Sequence, residues 1–294
     1  MTLVTRRIGL RFQLGTGAFG ADGSNTVEFA GMRTNANITK AGGVSMSHLD
    51  LRVWGLPLDV MAKLTVLNQL AYTSARLNTV TVEAGDNESG MAVAFTGTIS
   101  EAWGDLREMP EAILQVSAFT GMVDRVRPVS PVSFNGSVDV ATVLAGICAQ
   151  MQPPVSLENS GVQSQVTDTY LPGTAIDQIR AVAEMANINA VLDGSTLAIW
   201  PAGGARSGLV PLLSPDTGLV GYPEFTQNGV RLTTLYNPSL TFGQKVEVRS
   251  ELEPANGYWV IASVAHNLES QTPGGAWFTQ IECGLLGQEA PIVG

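Results

Sequence analysis

Charge is what this sequence has least of. Asp, Glu, Lys and Arg make up only 14% of its 294 residues, against roughly 25% in an average soluble domain. A chain that keeps its whole surface in water needs a more charged exterior, so much of this surface is expected to lie against other subunits. Positive charge is the scarcer sign, with 16 Lys and Arg against 26 Asp and Glu and a net charge of −10. That balance excludes a protein that grips nucleic acid through its phosphates. Aromatic residues are 6% of the chain, too few and too scattered for a base-stacking platform. No run of about 18 apolar residues occurs, so no membrane-spanning helix is expected. The first residues, MTLVTRRIGLRFQLG, have apolar positions interrupted by Arg11 and Gln13, and read as mature protein rather than a signal segment.

Reactive side chains are equally sparse. The only histidines are His48 and His266, and the only cysteines Cys148 and Cys283. None has a second His or Cys at the spacing of a zinc ligand, and buried free thiols are the expectation for both cysteines. No GxSxG elbow is present to make a serine nucleophile. Gly15-Thr16-Gly17-Ala18-Phe19-Gly20 matches GxGxxG, but Ala21-Asp22-Gly23-Ser24-Asn25 follows where a dinucleotide site needs a helix. It reads as a mobile loop between strands. Asp105, Glu108 and Glu111 stand close enough to raise a glycosidase pair, but Pro110 marks the segment as a solvated turn. No residue is therefore assigned to catalysis, to a cofactor or to a metal, and no cofactor is expected. Arg6, Arg7 and Arg11 form the one basic cluster, expected to serve a subunit contact.

What is present is alternation. Residues 1–125 read as strands at 7–14, 26–33, 47–54, 79–84, 91–102 and 112–120. One helix from Leu56 to Leu70, with Val60, Leu64 and Leu67 at helical spacing, interrupts them. This is a first tube-like antiparallel β-barrel with a covering helix. RVRPVSPVSF at 125–134 breaks the pattern. Residues 126–200 then read as an α+β insert. In it Ser137 caps a helix lined by Val140, Leu144, Ile147 and Met151 and ended by Pro153 and Pro154. Thr174 and Asp177 form a capping box before Ile176, Ile179, Ala183 and Ala186. A hairpin turning on Asp193-Gly194 closes the insert. PAGGARSG at 201–208 is expected to be a flexible link. A second barrel occupies 208–294, with strands at 232–237, 245–252, 259–269 and 276–286. The net charge is −2 over 1–125, −4 over 126–200 and −4 over 201–294. Leu49-Asp50-Leu51-Arg52 before Pro57 echoes Val246-Glu247-Val248-Arg249 before Pro254, a match that chance supplies as readily as duplication. The fold class expected is mainly β with an α+β insert between two barrels.

Two stretches carry a resemblance. HLDLRVWGLPLDVMAKL with TGTISEAWGDL and AILQVSAFTG is one, and NPSLTFGQKVEVRSEL with GYWVIASVAHNLES and WFTQIECGLL is the other. In these the chain resembles the baseplate hub proteins of contractile-tailed bacteriophages, the late control protein D-like tail hubs. The resemblance implies a structural protein, not an enzyme, in the virion's tail baseplate, assembled in the bacterial host cytoplasm. It implies a homotrimer whose six barrels adapt a sixfold tail tube protein to a threefold spike protein among other baseplate proteins. DNA would pass through the lumen without specific binding, and no membrane is involved. No lysozyme-like or sugar-binding domain of the kind larger relatives append is expected within these residues. A cell-wall glycan hydrolase and a carbohydrate-binding β module of a tail tip remain the alternatives.

Overall fold

The computed structural model describes residues 5–40, 42, 46–66, 77–88, 90–107 and 111–285. In strand β1 (Arg6–Gln13), Ile8, Leu10 and Phe12 turn inward while Arg7, Arg11 and Gln13 face out, as a two-residue repeat dictates. β2 (Thr26–Ala30), β3 (Thr34–Lys40), β4 (His48–Trp54), β5 (Thr79–Asp86), β6 (Gly90–Asp105) and β7 (Ile113–Phe119) follow. The insert adds β8 (Val132–Ser133), β9 (Ser137–Asp139), β10 (Ser156–Asn159), β11 (Gln165–Thr167), β12 (Tyr170–Leu171), β13 (Ile188–Asp193) and β14 (Thr196–Pro201) around the helices Val140–Cys148 and Ala175–Ala186. β15 (Leu212–Leu213), β16 (Leu219–Thr226), β17 (Gly229–Leu235), β18 (Lys245–Val248), β19 (Gly257–Ser270) and β20 (Trp277–Gly284) complete the chain. The protein is thus mainly β with an α+β insert, as expected.

The two β-lobes are halves of one sheet. Its order is β16-β17-β20-β19-β3-β4-β7-β6-β5-β1-β2, with β18 on β19 and β15 on β18. The joint is the antiparallel pair β3–β19, from Val264 opposite Lys40 to Ser270 opposite Thr34. β3 itself escapes a sequence reading, because Asn35 and Asn37 are turn formers. Its inward residues Thr34, Ala36 and Ile38 are buried, while Asn37 stays exposed. Across β19 the inward phase changes. Trp259 and Ile261 are buried in its first half, and Val264, His266 and Leu268 in its second. An irregularity in register between Ile261 and Ser263 makes the change, since one extra residue moves every later side chain to the other face.

Among the described residues three large apolar cores result. Ile8, Phe12, Ile38, Leu51, Val82 and Leu114 belong to the first, which also takes Leu268 and Trp277 from the C-terminal hairpin. The helix Leu58–Leu64 covers it with Val60, Met61 and Leu64. Thr65 is already extended, which ends that helix earlier than the expected Leu70. Leu67 to Leu70 lie outside the described residues. The insert's core gathers Leu144, Ile147, Ile179 and Ile199. The third holds Leu232, Val246, Ile261 and Ile281. β4 is paired with β3 and β7 over most of its length, whereas β18 meets two residues of β15 and four of β19. The echoing motifs therefore occupy different stations in the sheet.

Three local expectations are corrected in the insert. Asp139 rather than Ser137 caps the helix Val140–Cys148, its carboxylate accepting from the Thr142 amide. That helix ends at Cys148, before the prolines. The hairpin turns on Gly194-Ser195, with Asp193 paired to Thr196 and Gly194 at φ +59°. The Thr174–Asp177 capping box is present. Replacing Asp139 by Ala should cost about 1 kcal/mol, read as a shift in the urea midpoint. An unchanged midpoint would mean the cap carries no stability.

Candidate functional site at the seam of the sheet

Where β3 meets β19 the inward face turns polar. His266 is 1% exposed, and its Nδ1 lies 2.9 Å from Thr279 Oγ1. The Asn237 amide donates to the same hydroxyl at 3.0 Å. The hydroxyl can give its own proton to Nδ1 or accept from Nδ1–H through its second lone pair, according to the imidazole tautomer. Neither Nε2 nor the Tyr236 hydroxyl has a hydrogen-bond partner. The Tyr236 ring meets His266 edge-on at 5.3 Å and Trp277 at 5.5 Å. Burial holds the His266 imidazole down to about 3, helped by the positive charge of Lys40 and opposed by Asp193. Burial also pushes the Tyr236 hydroxyl up to about 12. The imidazole is therefore neutral at physiological pH. An imidazole beside a hydroxyl can serve as base and nucleophile, but Thr279 is fully buried, so nothing outside reaches it.

From this seam a chain of ion pairs runs into the insert. Lys40 on β3 sits 3.8 Å from Asp193 on β13. Asp193 also accepts from Arg206 Nη1 at 3.1 Å. Arg206 grips Glu158 on β10 through Nε at 2.7 Å and Nη2 at 2.8 Å. Its side chain is 11% exposed, and the two carboxylates repay the burial of its charge. Its hydrogen bonds pull Glu158 below the usual carboxylate range. The Arg206 amide donates to Gly243 O at 2.7 Å, and the Ser207 amide to Ser160 Oγ at 2.9 Å. The expected flexible link at 201–208 is thus fastened on both sides. Beside it Trp200 packs on Phe242, ring centroids 5.9 Å apart. Ala198 and Trp200 face this contact while Leu197 and Ile199 face the insert's core. A strand buried on both faces reads as a continuous apolar run, and LAIW is one.

The residues singled out in the sequence do not come together. His48 is half-buried on the outer face, its Nε2 2.8 Å from Ser117 Oγ and its ring stacked on Phe119 at 4.6 Å. Cys148 and Cys283 are buried and free, and burial pushes the Cys148 thiol up to about 11. Gly15–Gly20 lies in the turn between β1 and β2, with no helix after it. Arg107 binds Asp105 through two guanidinium hydrogen bonds and one from its amide, and lowers its carboxyl to about 2, opposite to what a general acid needs. Glu111 lies 3.4 Å from Arg33, and Glu108 falls outside the described residues. Among the described residues no three His, Cys, Asp or Glu side chains gather as metal ligands would. Arg11 pairs with Glu28 at 2.7 Å, and Arg6 donates to Gly275 O and lies over Trp277.

A continuous sheet of two lobes, clasped to an α+β insert through Arg206, defines a mainly β protein with an α+β insert. The sequence profile of the baseplate hub gp41 family matches residues 17–283, and the chain belongs to that family. It is a structural protein of the phage tail baseplate. No curated protein gives a significant sequence match. Among solved structures, a tail protein from Neisseria meningitidis MC58 is similar with a TM-score of 0.62 at 11% identity, covering 97% of this chain and 98% of that one. The 43 kDa tail protein of prophage MuSo2 from Shewanella oneidensis gives 0.59 at 11%, over 93% and 95%. The E. coli c3393 protein gives 0.55 at 10%, over 88% and 77%. That protein is described as a type VI secretion component structurally similar to T4 tail proteins gp27 and gp5. At such identities the likeness is one of fold.

Proposed function

We propose that three copies form a ring at the tip of a contractile tail, joining the sixfold tail tube protein to the threefold spike protein. The observation that carries this reading is the β3–β19 joint, which holds two β-lobes of one chain in a single sheet. Three such chains present six lobes to the tube while keeping threefold symmetry for the spike. The lobes correspond to residues 1–125 and 208–294, and the insert to 126–200. The chain has no catalytic role and takes no cofactor in this reading. It is assembled in the host cytoplasm, contacts other baseplate proteins and touches no membrane. DNA passes through the ring unheld, because acids outnumber bases over each part of the chain and a lumen wall rich in carboxylates repels phosphate. Native mass spectrometry of the full chain, alone and mixed with tube and spike proteins, tests the reading. A three-chain species that retains both partners is expected, together with no shift of duplex DNA in a gel. A chain that stays single with every tail protein, or one that holds DNA, would overturn it.

A further inference from the structure

One acid of the insert is buried without a positive partner. Asp124 is 7% exposed in the short helix Met122–Val126, and its Oδ1 accepts from the Gln152 amide at 3.0 Å. Burial pushes its carboxyl up against the pull of two backbone amides, that of Gln152 and its own, and no cation among the described residues acts on it. Asp105, Asp193 and Glu247 are also drawn out of water, and each holds an arginine. A carboxylate taken out of water is costly unless a positive group compensates it.

Such a group has room to enter. Asp124 lines a cleft of about 570 Å³ between residues 127–130 and the chain that leaves the helix Val140–Cys148. Ala149, Gln150 and Met151, which follow that helix, stand in the wall, and the negative end of a helix dipole favours a cation. A second unused acceptor adjoins the cleft. Gln178 is fully buried, and its Nε2 donates to the carbonyl of Ser130, a cleft residue, at 3.2 Å. A carbonyl takes only an N–H, so the amide's orientation is set and its orphan atom is the acceptor Oε1. Arg127 is the one cation in the described wall, and its Nη1 is turned to Gln152 Oε1 at 2.8 Å. A carboxylate, an unused amide oxygen and a helix C-terminus together call for positive charge that carries several N–H donors. A guanidinium supplies both in one planar group, whereas an ammonium offers fewer donors on a single point. We propose that this cleft receives the guanidinium of an arginine on a neighbouring protein.

N-acetyl-arginine methylamide and N-acetyl-norleucine methylamide, titrated into the full chain and followed through the Gln152 amide resonance, test the chemistry. The arginine derivative should shift the resonance saturably and bind roughly tenfold or more tightly than the norleucine derivative, as for a charged hydrogen bond. Asp124→Asn keeps an acceptor for the Gln152 amide, removes the charge and should erase that preference. Equal binding of the two derivatives, no binding, or a preference that survives in Asp124→Asn would overturn the proposal. The first comparison needs no variant, so a variant that fails to fold leaves it decisive. Native mass spectrometry with the tube and spike proteins tests where the arginine comes from. Asp124→Asn should weaken retention of one of them roughly 30-fold, as at an interface hot spot. If the free derivative binds but neither complex weakens, the cleft serves a free guanidine and the neighbouring arginine is ruled out. The titrations do not involve the ring. A chain that stays single with every tail protein would therefore remove the ring reading and the neighbouring arginine, but not the guanidinium site.

Discussion

Replacing Arg206 by Met should loosen the insert from the sheet and cost about 2–3 kcal/mol. The substitution leaves Glu158 and Asp193 without the guanidinium that now binds both. Removing one partner of a buried ion pair typically costs 3–5 kcal/mol, because the other charge is left uncompensated. The figure is discounted here because Glu158 keeps 37% of its side chain in solvent, where water takes up part of the loss. Arg206→Lys should recover only a fraction, since an ammonium cannot bridge two carboxylates with a planar fork. The loss should fade in acid. Glu158 lies below its ordinary range when folded, so its contribution is complete above the unfolded pKa, near 4.3. It disappears as pH falls through the folded value. Urea denaturation of both variants at pH 7 and pH 4 measures this. Equal midpoints for wild type and Arg206→Met at pH 7 would show that the clasp is ornamental.

Such a clasp could not have been read from the chain. Glu158, Asp193, Arg206 and Lys40 come from four separate segments, and no spacing joins them. The one available hint was an arginine inside a glycine-rich link, where a flexible tether needs no long cation. The strands were legible where burial on one side forces alternation, as in Leu49, Leu51 and Val53 of β4. Where a second demand overrides alternation they were not. β3 carries asparagines on its outer face, and β16 contains Gly221 at φ +70° two residues before Pro223. The register irregularity in β19 hides the phase change that lets one hairpin serve two cores. His266 was legible as a strand histidine, but its position at the joint was not, because nothing near it in sequence announces β3.

That position makes His266 an acid-sensitive element of the fold. Burial and the nearby Lys40 hold its imidazole at about 3, while an unfolded histidine titrates near 6.5. Between those values the unfolded chain binds a proton that the folded chain refuses, so stability falls as pH falls. The contribution is intact above about 6.5 and shrinks by about 1.4 kcal/mol per pH unit below it. Over the whole window it amounts to roughly 5 kcal/mol. Carboxylates titrate in the lower part of the same range, so the wild-type profile alone does not isolate the effect. His266→Leu does. It removes the titrating group from a fully buried site and leaves Thr279 Oγ1 its bond from the Asn237 amide. The variant should be less stable at pH 7, because seam packing and the Thr279 bond are disturbed. Its stability should nevertheless decline more gently from pH 6.5 to pH 4, by about one proton's slope. Urea midpoints at half-unit intervals give both curves. Parallel curves would mean that the folded protein takes up the proton as readily as the unfolded chain. The seam would then open to water at a pH where the buried imidazole is expected to remain neutral.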